Sequence, residues 1–143
     1  MRKLSTTLFT LLANATLMAI PAAAAPGDVM LSATLTGAAE TPAASTDGAG
    51  MFMGRLNAGT GQLCYTLTSQ KLMAVTMAHI HAGAAGVAGP PVVVLAPSVP
   101  SETCISVDKA VAQKLVATPG NYYVNLHNTA YPKGAIRGQL TAQ

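Results

Sequence analysis

Charge is scarce in this sequence: of 143 residues, only 8 are Lys or Arg and 5 are Asp or Glu. So few charges, dispersed along the chain, provide no electrostatic footprint for nucleic acid or for an anionic membrane surface. Two of the basic residues, Arg2 and Lys3, stand at the extreme N-terminus. Residues 26–143 are then nearly balanced, with Arg55, Lys71, Lys109, Lys114, Lys133 and Arg137 against Asp28, Glu40, Asp47, Glu102 and Asp108. Catalytic signatures are missing as well. There is no Gly-x-Ser-x-Gly elbow, and the acids are too few and scattered for a paired-carboxylate hydrolase. The glycines at 83, 86 and 89 lack the Lys-Ser/Thr ending of a phosphate loop and read as a bending segment. With no internal repeat, heptad or long linker, the chain past its N-terminal segment reads as one domain with a single core.

The N-terminal segment has its own logic. Arg2 and Lys3 precede an apolar run over 8–20, and Pro21 and the small residues Ala22 to Ala25 follow it. This is the order of a charged region, a hydrophobic region and an Ala-x-Ala cleavage zone. The run is shorter than the roughly 18 to 20 residues of a spanning helix and ends in helix-breaking Pro. Residues 1–25 are therefore predicted to be a signal peptide cleaved after Ala24 or Ala25, leaving a domain over 26–143 without a membrane anchor. The cleavage zone has no Cys to carry a lipid. The predicted location is periplasmic or secreted. The only two cysteines, Cys64 and Cys104, lie in the exported part and are predicted to form a disulfide. A pair of thiolate metal ligands is the alternative, but the Cys-x-x-Cys spacing of structural zinc sites is absent.

From residue 28 onward, short runs of period two alternate with Gly, Pro, Asn and Asp about every ten residues. This is the pattern of an all-β, antiparallel Greek-key sandwich or barrel. About eight strands are expected, over 30–36, 50–56, 62–68, 74–81, 91–95, 104–107, 122–127 and 135–141. One short helix is expected over 108–117, where Val111 and Leu115 repeat at helical spacing behind Ser106 or Asp108 as a cap. Asn57 to Gly61 reads as a hairpin loop.

Histidine is as sparse as cysteine, yet two of the three stand two residues apart, as His79 and His81. Residues two apart on a strand share a face, so Met77, His79 and His81 project together. In 122–127, Tyr122, Val124 and Leu126 share the expected core face, and Tyr123, Asn125 and His127 the other. His-x-His on a strand suits metal coordination, because two imidazoles bite one ion and a third from a neighbouring strand completes the set. Imidazole favours copper, zinc, iron and nickel. Met77, a weaker candidate ligand, turns the balance toward copper as the cofactor. Against this stands a plain structural reading in which the imidazoles bond to backbone and hold the glycine-rich turn.

Four segments taken together resemble a known family. They are Leu35-Thr36-Gly37-Ala38-Ala39-Glu40-Thr41-Pro42; Ala78-His79-Ile80-His81-Ala82-Gly83 with Gly86 and Gly89-Pro90; Tyr123-Val124-Asn125-Leu126-His127; and Tyr131-Pro132-Lys133-Gly134-Ala135-Ile136-Arg137-Gly138-Gln139-Leu140. In this order they resemble the chordin-type (CHRD) domain. The resemblance implies an exported all-β domain, as found in the animal antagonist chordin and alone in bacterial proteins, without fixing an activity. Ala135 stands where Glu is common in the closing motif, so any role of that carboxylate is absent here. The His-x-His strand, the disulfide and a late Arg are also similar to copper–zinc superoxide dismutase. That second likeness implies copper at His79, His81 and His127, with Arg137 as an anion guide.

Two functions follow as expectations. In one, a three-histidine site binds copper, with superoxide dismutase-like redox activity as its enzymatic extension. In the other, the domain is a non-catalytic extracellular interaction or adhesion module that binds another extracellular protein, and its histidines are structural.

Overall fold

The computed structural model describes residues 27–143; the predicted signal peptide lies outside the described residues. The chain forms strands β1 (Asp28–Thr36), β2 (Ala49–Asn57), β3 (Gln62–Gln70), β4 (Val75–Ala82), β5 (Pro91–Leu95) and β6 (Val99–Ser106). Helix α1 (Lys109–Ala117) follows, then β7 (Tyr122–Asn128), β8 (Ile136–Gln139) and β9 (Thr141–Ala142). Every pairing is antiparallel. The strands form one sheet in the order β5-β4-β7-β8-β1-β2-β3-β6, with β9 attached to β1. The all-β expectation holds, and the choice between sandwich and barrel resolves as a single sheet curled into a half-barrel.

Period-two alternation decides what the curl encloses. Leu31 and Leu35 of β1, Phe52 and Leu56 of β2, and Leu63, Tyr65 and Leu67 of β3 are all buried on one face. Ile80 of β4, Val124 and Leu126 of β7 and Ile136 of β8 join them in one cluster. Ala112 and Leu115, the buried face of α1, belong to the same cluster. Asp108 is the helix cap, its Oδ1 accepting from Ala110 N at 2.9 Å and Val111 N at 3.1 Å.

Cys64 and Cys104 are bonded, as expected. They are directly opposed in the β3–β6 ladder, on the side of β3 away from Leu63, Tyr65 and Leu67. With Glu102 they form a cluster of metal-ligand type, but their sulfurs are consumed by the bond to each other.

Three boundaries differ from the sequence reading. β6 begins at Val99 rather than 104, because Val99 to Thr103 is an edge segment with Pro100 and mostly exposed side chains, which lacks alternation. The single strand expected over 135–141 is two strands, since the chain leaves β7 after Gln139 and pairs with β1 at Thr141. Tyr122, expected in the core, is only half-buried and packs at its margin.

At Gly138 the backbones of β8 and β1 approach so closely that a Cβ would stand 2.3 Å from the Thr34 carbonyl oxygen. Backbone on both sides leaves no flexible atom to give way. Gly138→Ala is expected to destabilise the domain by about 1–3 kcal/mol, the cost of overpacking. A urea midpoint equal to that of the wild type would contradict this close approach.

Candidate metal centre

The face of the sheet opposite the core carries the histidines. The register of β4, β7 and β8 lays their side chains out in rows. His79 is opposite Asn125, which is opposite Arg137; His81 is opposite Tyr123, which is opposite Gln139; Met77 is opposite His127. His79, His81 and His127 converge, offering one nitrogen each with all three atoms within 4.8 Å of one another. Ring centroids are 5.2 to 5.9 Å apart across the three pairs. Met77 shares this face at the open end of the group and is 46% exposed.

Hydrogen bonds fix which nitrogens face inward. His81 Nδ1 is 2.8 Å from the Gly89 carbonyl oxygen and His127 Nδ1 is 3.1 Å from the Pro132 carbonyl oxygen. A carbonyl only accepts, so both Nδ1 atoms carry hydrogen and both Nε2 atoms keep a lone pair. His127 Nε2 accepts from His79 Nδ1 at 3.3 Å. His81 Nε2 is buried with no partner at all. This is the usual support of metal-binding imidazoles, with one nitrogen held by backbone and the other presented to an ion. Burial lowers the pKa of all three rings below the ordinary value, most simply at His79. At neutral pH they are uncharged and able to ligate.

Surrounding side chains hold the rings in place. Tyr123 stacks with His81 at a centroid distance of 5.0 Å. Its hydroxyl accepts from Gly89 N at 3.1 Å and so fixes the carbonyl that orients His81. A Cβ on Gly89 would fall 1.6 Å from the Ala82 carbonyl oxygen, so only glycine lets this loop pass over β4. Asn125 Nδ2 donates to both oxygens of Glu40, at 2.9 and 3.1 Å. Ala135 continues the β7–β8 register opposite His127 and is fully buried, its N–H bonded to the Leu126 carbonyl. A methyl group thus stands beside His127 where the closing motif commonly has Glu, and the carboxyl near this layer is Glu40.

The polar face that carries the histidines is itself covered, Asn125 being 3% and His127 6% exposed, because Glu40, Ala84, Gly89 and Pro132 reach it from the loops. His127 still stays outside the apolar cluster, in keeping with its predicted facing. Arg137, expected as an anion guide, is 2% exposed. Its guanidinium lies 3.4 Å from the Tyr123 ring centroid, and Nη2 donates to the Ala84 carbonyl oxygen at 2.8 Å. It ties the glycine-rich segment to the sheet rather than standing open to attract anions. Glu40, Tyr123 and Asn125 were quoted within motifs but given no role. Tyr123 and Asn125 are marked by sharing His127's face, whereas no local signal brings Glu40 to them.

Burial pushes the Glu40 carboxyl up to about 7, against the opposing pull of its bond from Asn125 and of the Arg137 charge. A folded-state value above the unfolded one means that folding favours the protonated acid. The contribution is therefore complete below about pH 4.5 and is lost as pH rises through 7. The histidines act oppositely, their contribution disappearing as pH falls below 6.5. The two kinds of group therefore act against each other between about pH 4.5 and 7, where Glu40 makes stability fall with rising pH and the histidines make it rise. Glu40→Gln is expected to remove the falling component, so that in urea titrations stability rises more steeply with pH across this range than in the wild type. An unchanged slope would contradict the assignment.

Among the described residues, no helix is long and apolar enough to cross a membrane. No curated protein and no solved structure matches the chain. The CHRD domain matches it over residues 31–140, which takes in most of β1, all of β2 to β8 and every residue of the histidine cluster. The chain belongs to the CHRD-domain family.

Proposed function

We propose that this protein is an exported copper-binding domain whose ligands are His79, His81 and His127. The observation that carries the reading is the buried, unpartnered Nε2 of His81, beside two further imidazole nitrogens within 4.8 Å. A buried polar atom without a partner costs free energy, and a metal ion held by the cluster would relieve that cost at His81. Neutral imidazoles without a carboxylate in the group suit copper, which also heads the affinity order of divalent ions. The leader over 1–25 and the disulfide support export to the periplasm or beyond. Three protein ligands leave a coordination position open, so redox chemistry of the superoxide dismutase type is the enzymatic extension of the site.

The test is metal retention. Protein purified without affinity metal, loaded with copper and dialysed against buffer, is expected to keep one copper per chain, and zinc more weakly. A chain that keeps neither ion would refute the reading. The histidines would then be structural, and the domain an interaction module for another extracellular protein.

A further inference from the structure

Asn125 is 3% exposed and its Oδ1 is buried without a hydrogen-bond partner. Its Nδ2 is fully engaged by the two Glu40 oxygens. Glu40 lies on the β8 side of the amide, with its oxygens 2.6 Å from where a Gly134 Cβ would be and the Arg137 charge acting on it. The two ends of a carboxamide point apart. With Nδ2 turned toward Glu40, Oδ1 points away from that carboxylate, and His79 stands opposite Asn125 in the ladder. His127, two residues on, projects from the same face. A buried acceptor without a donor thus stands on the same sheet face as the three converging histidines.

We propose that Asn125 Oδ1 is the recognition group for a small oxygen ligand that carries hydrogen, water or hydroxide, at the open position of the metal centre. This rests on the three-histidine reading and adds the ligand class that the centre admits. Glu40 is the positioning residue. It holds Nδ2 and so fixes the orientation of the amide, and it also lines a groove with Tyr131 and Pro132. Gly134 makes the seat for its carboxylate, since any side chain there would overlap it. A ligand with an O–H satisfies Oδ1. An anion with no hydrogen meets the lone pairs of the amide oxygen and is disfavoured.

Azide is the probe, because it competes with water for an open copper position and has no hydrogen to donate. Copper-loaded wild type, Asn125→Leu and Asn125→Ser are titrated with azide at pH 8, with its charge-transfer absorption as the readout and copper content measured in parallel. Both variants are expected to keep one copper per chain and to bind azide about tenfold more tightly than the wild type. Should Asn125→Leu fail to fold, the smaller and polar Asn125→Ser decides. Azide affinity within twofold of the wild type, with copper retained, overturns the role of Asn125 and leaves the three-histidine reading standing. Failure of the wild type to bind copper overturns both.

Discussion

Replacing His81 by alanine is expected to lower copper affinity by more than a hundredfold while the domain stays folded. Loss of an outer-shell partner at metal sites already costs about 10–100-fold, and His81 is proposed as a direct ligand. Its Nε2 makes no other bond, so nothing in the fold depends on that atom. Its Nδ1 partner, the Gly89 carbonyl, retains the Tyr123 hydroxyl as a second neighbour at 3.4 Å. The apolar core lies on the opposite face of β4, at Ala78 and Ile80, and is untouched. Calorimetric copper titration and circular dichroism on the same sample check both halves. Copper affinity within threefold of the wild type would show that the rings serve the fold alone.

The second large effect concerns stability. The Cys64–Cys104 bond closes a loop over a sequence separation of 40. Constraining an unfolded chain over that length contributes about 4 kcal/mol in the chain-entropy account. A Cys64→Ser, Cys104→Ser double variant is expected to lose stability of that order in urea. The loop contains β4 and therefore His79 and His81, whereas His127 lies outside it. An ion that binds all three rings would join the loop to β7 and, by binding only the folded state, partly restore the stability of the double variant. A loss under about 1 kcal/mol without metal would contradict the account of the bond.

The histidine cluster was legible because period two is local: His79 and His81 share a face by spacing alone, and His127 alternates with Val124 and Leu126, which are unmistakably apolar. The disulfide needed only counting. What local pattern does not encode is the cover over that face. Glu40 reaches Asn125 from 85 positions away, and Arg137 reaches Ala84 from 53. Polar side chains on a sheet carry no local signal that such long-range loops bury them, which is why the burial of Asn125, His127 and Arg137 was not legible. The first half of the edge strand β6 escaped for the converse reason, since one row of ladder bonds forms it with little burial to pattern its sequence.

The central claim, that His79, His81 and His127 hold one metal ion together, is met most directly by electron paramagnetic resonance of the protein loaded with one equivalent of Cu(II). The account predicts a single copper species with superhyperfine splitting from three imidazole nitrogens, and the loss of one nitrogen when any one of the three histidines is replaced. A spectrum of aqueous copper, or one that the three replacements leave unchanged, would contradict it.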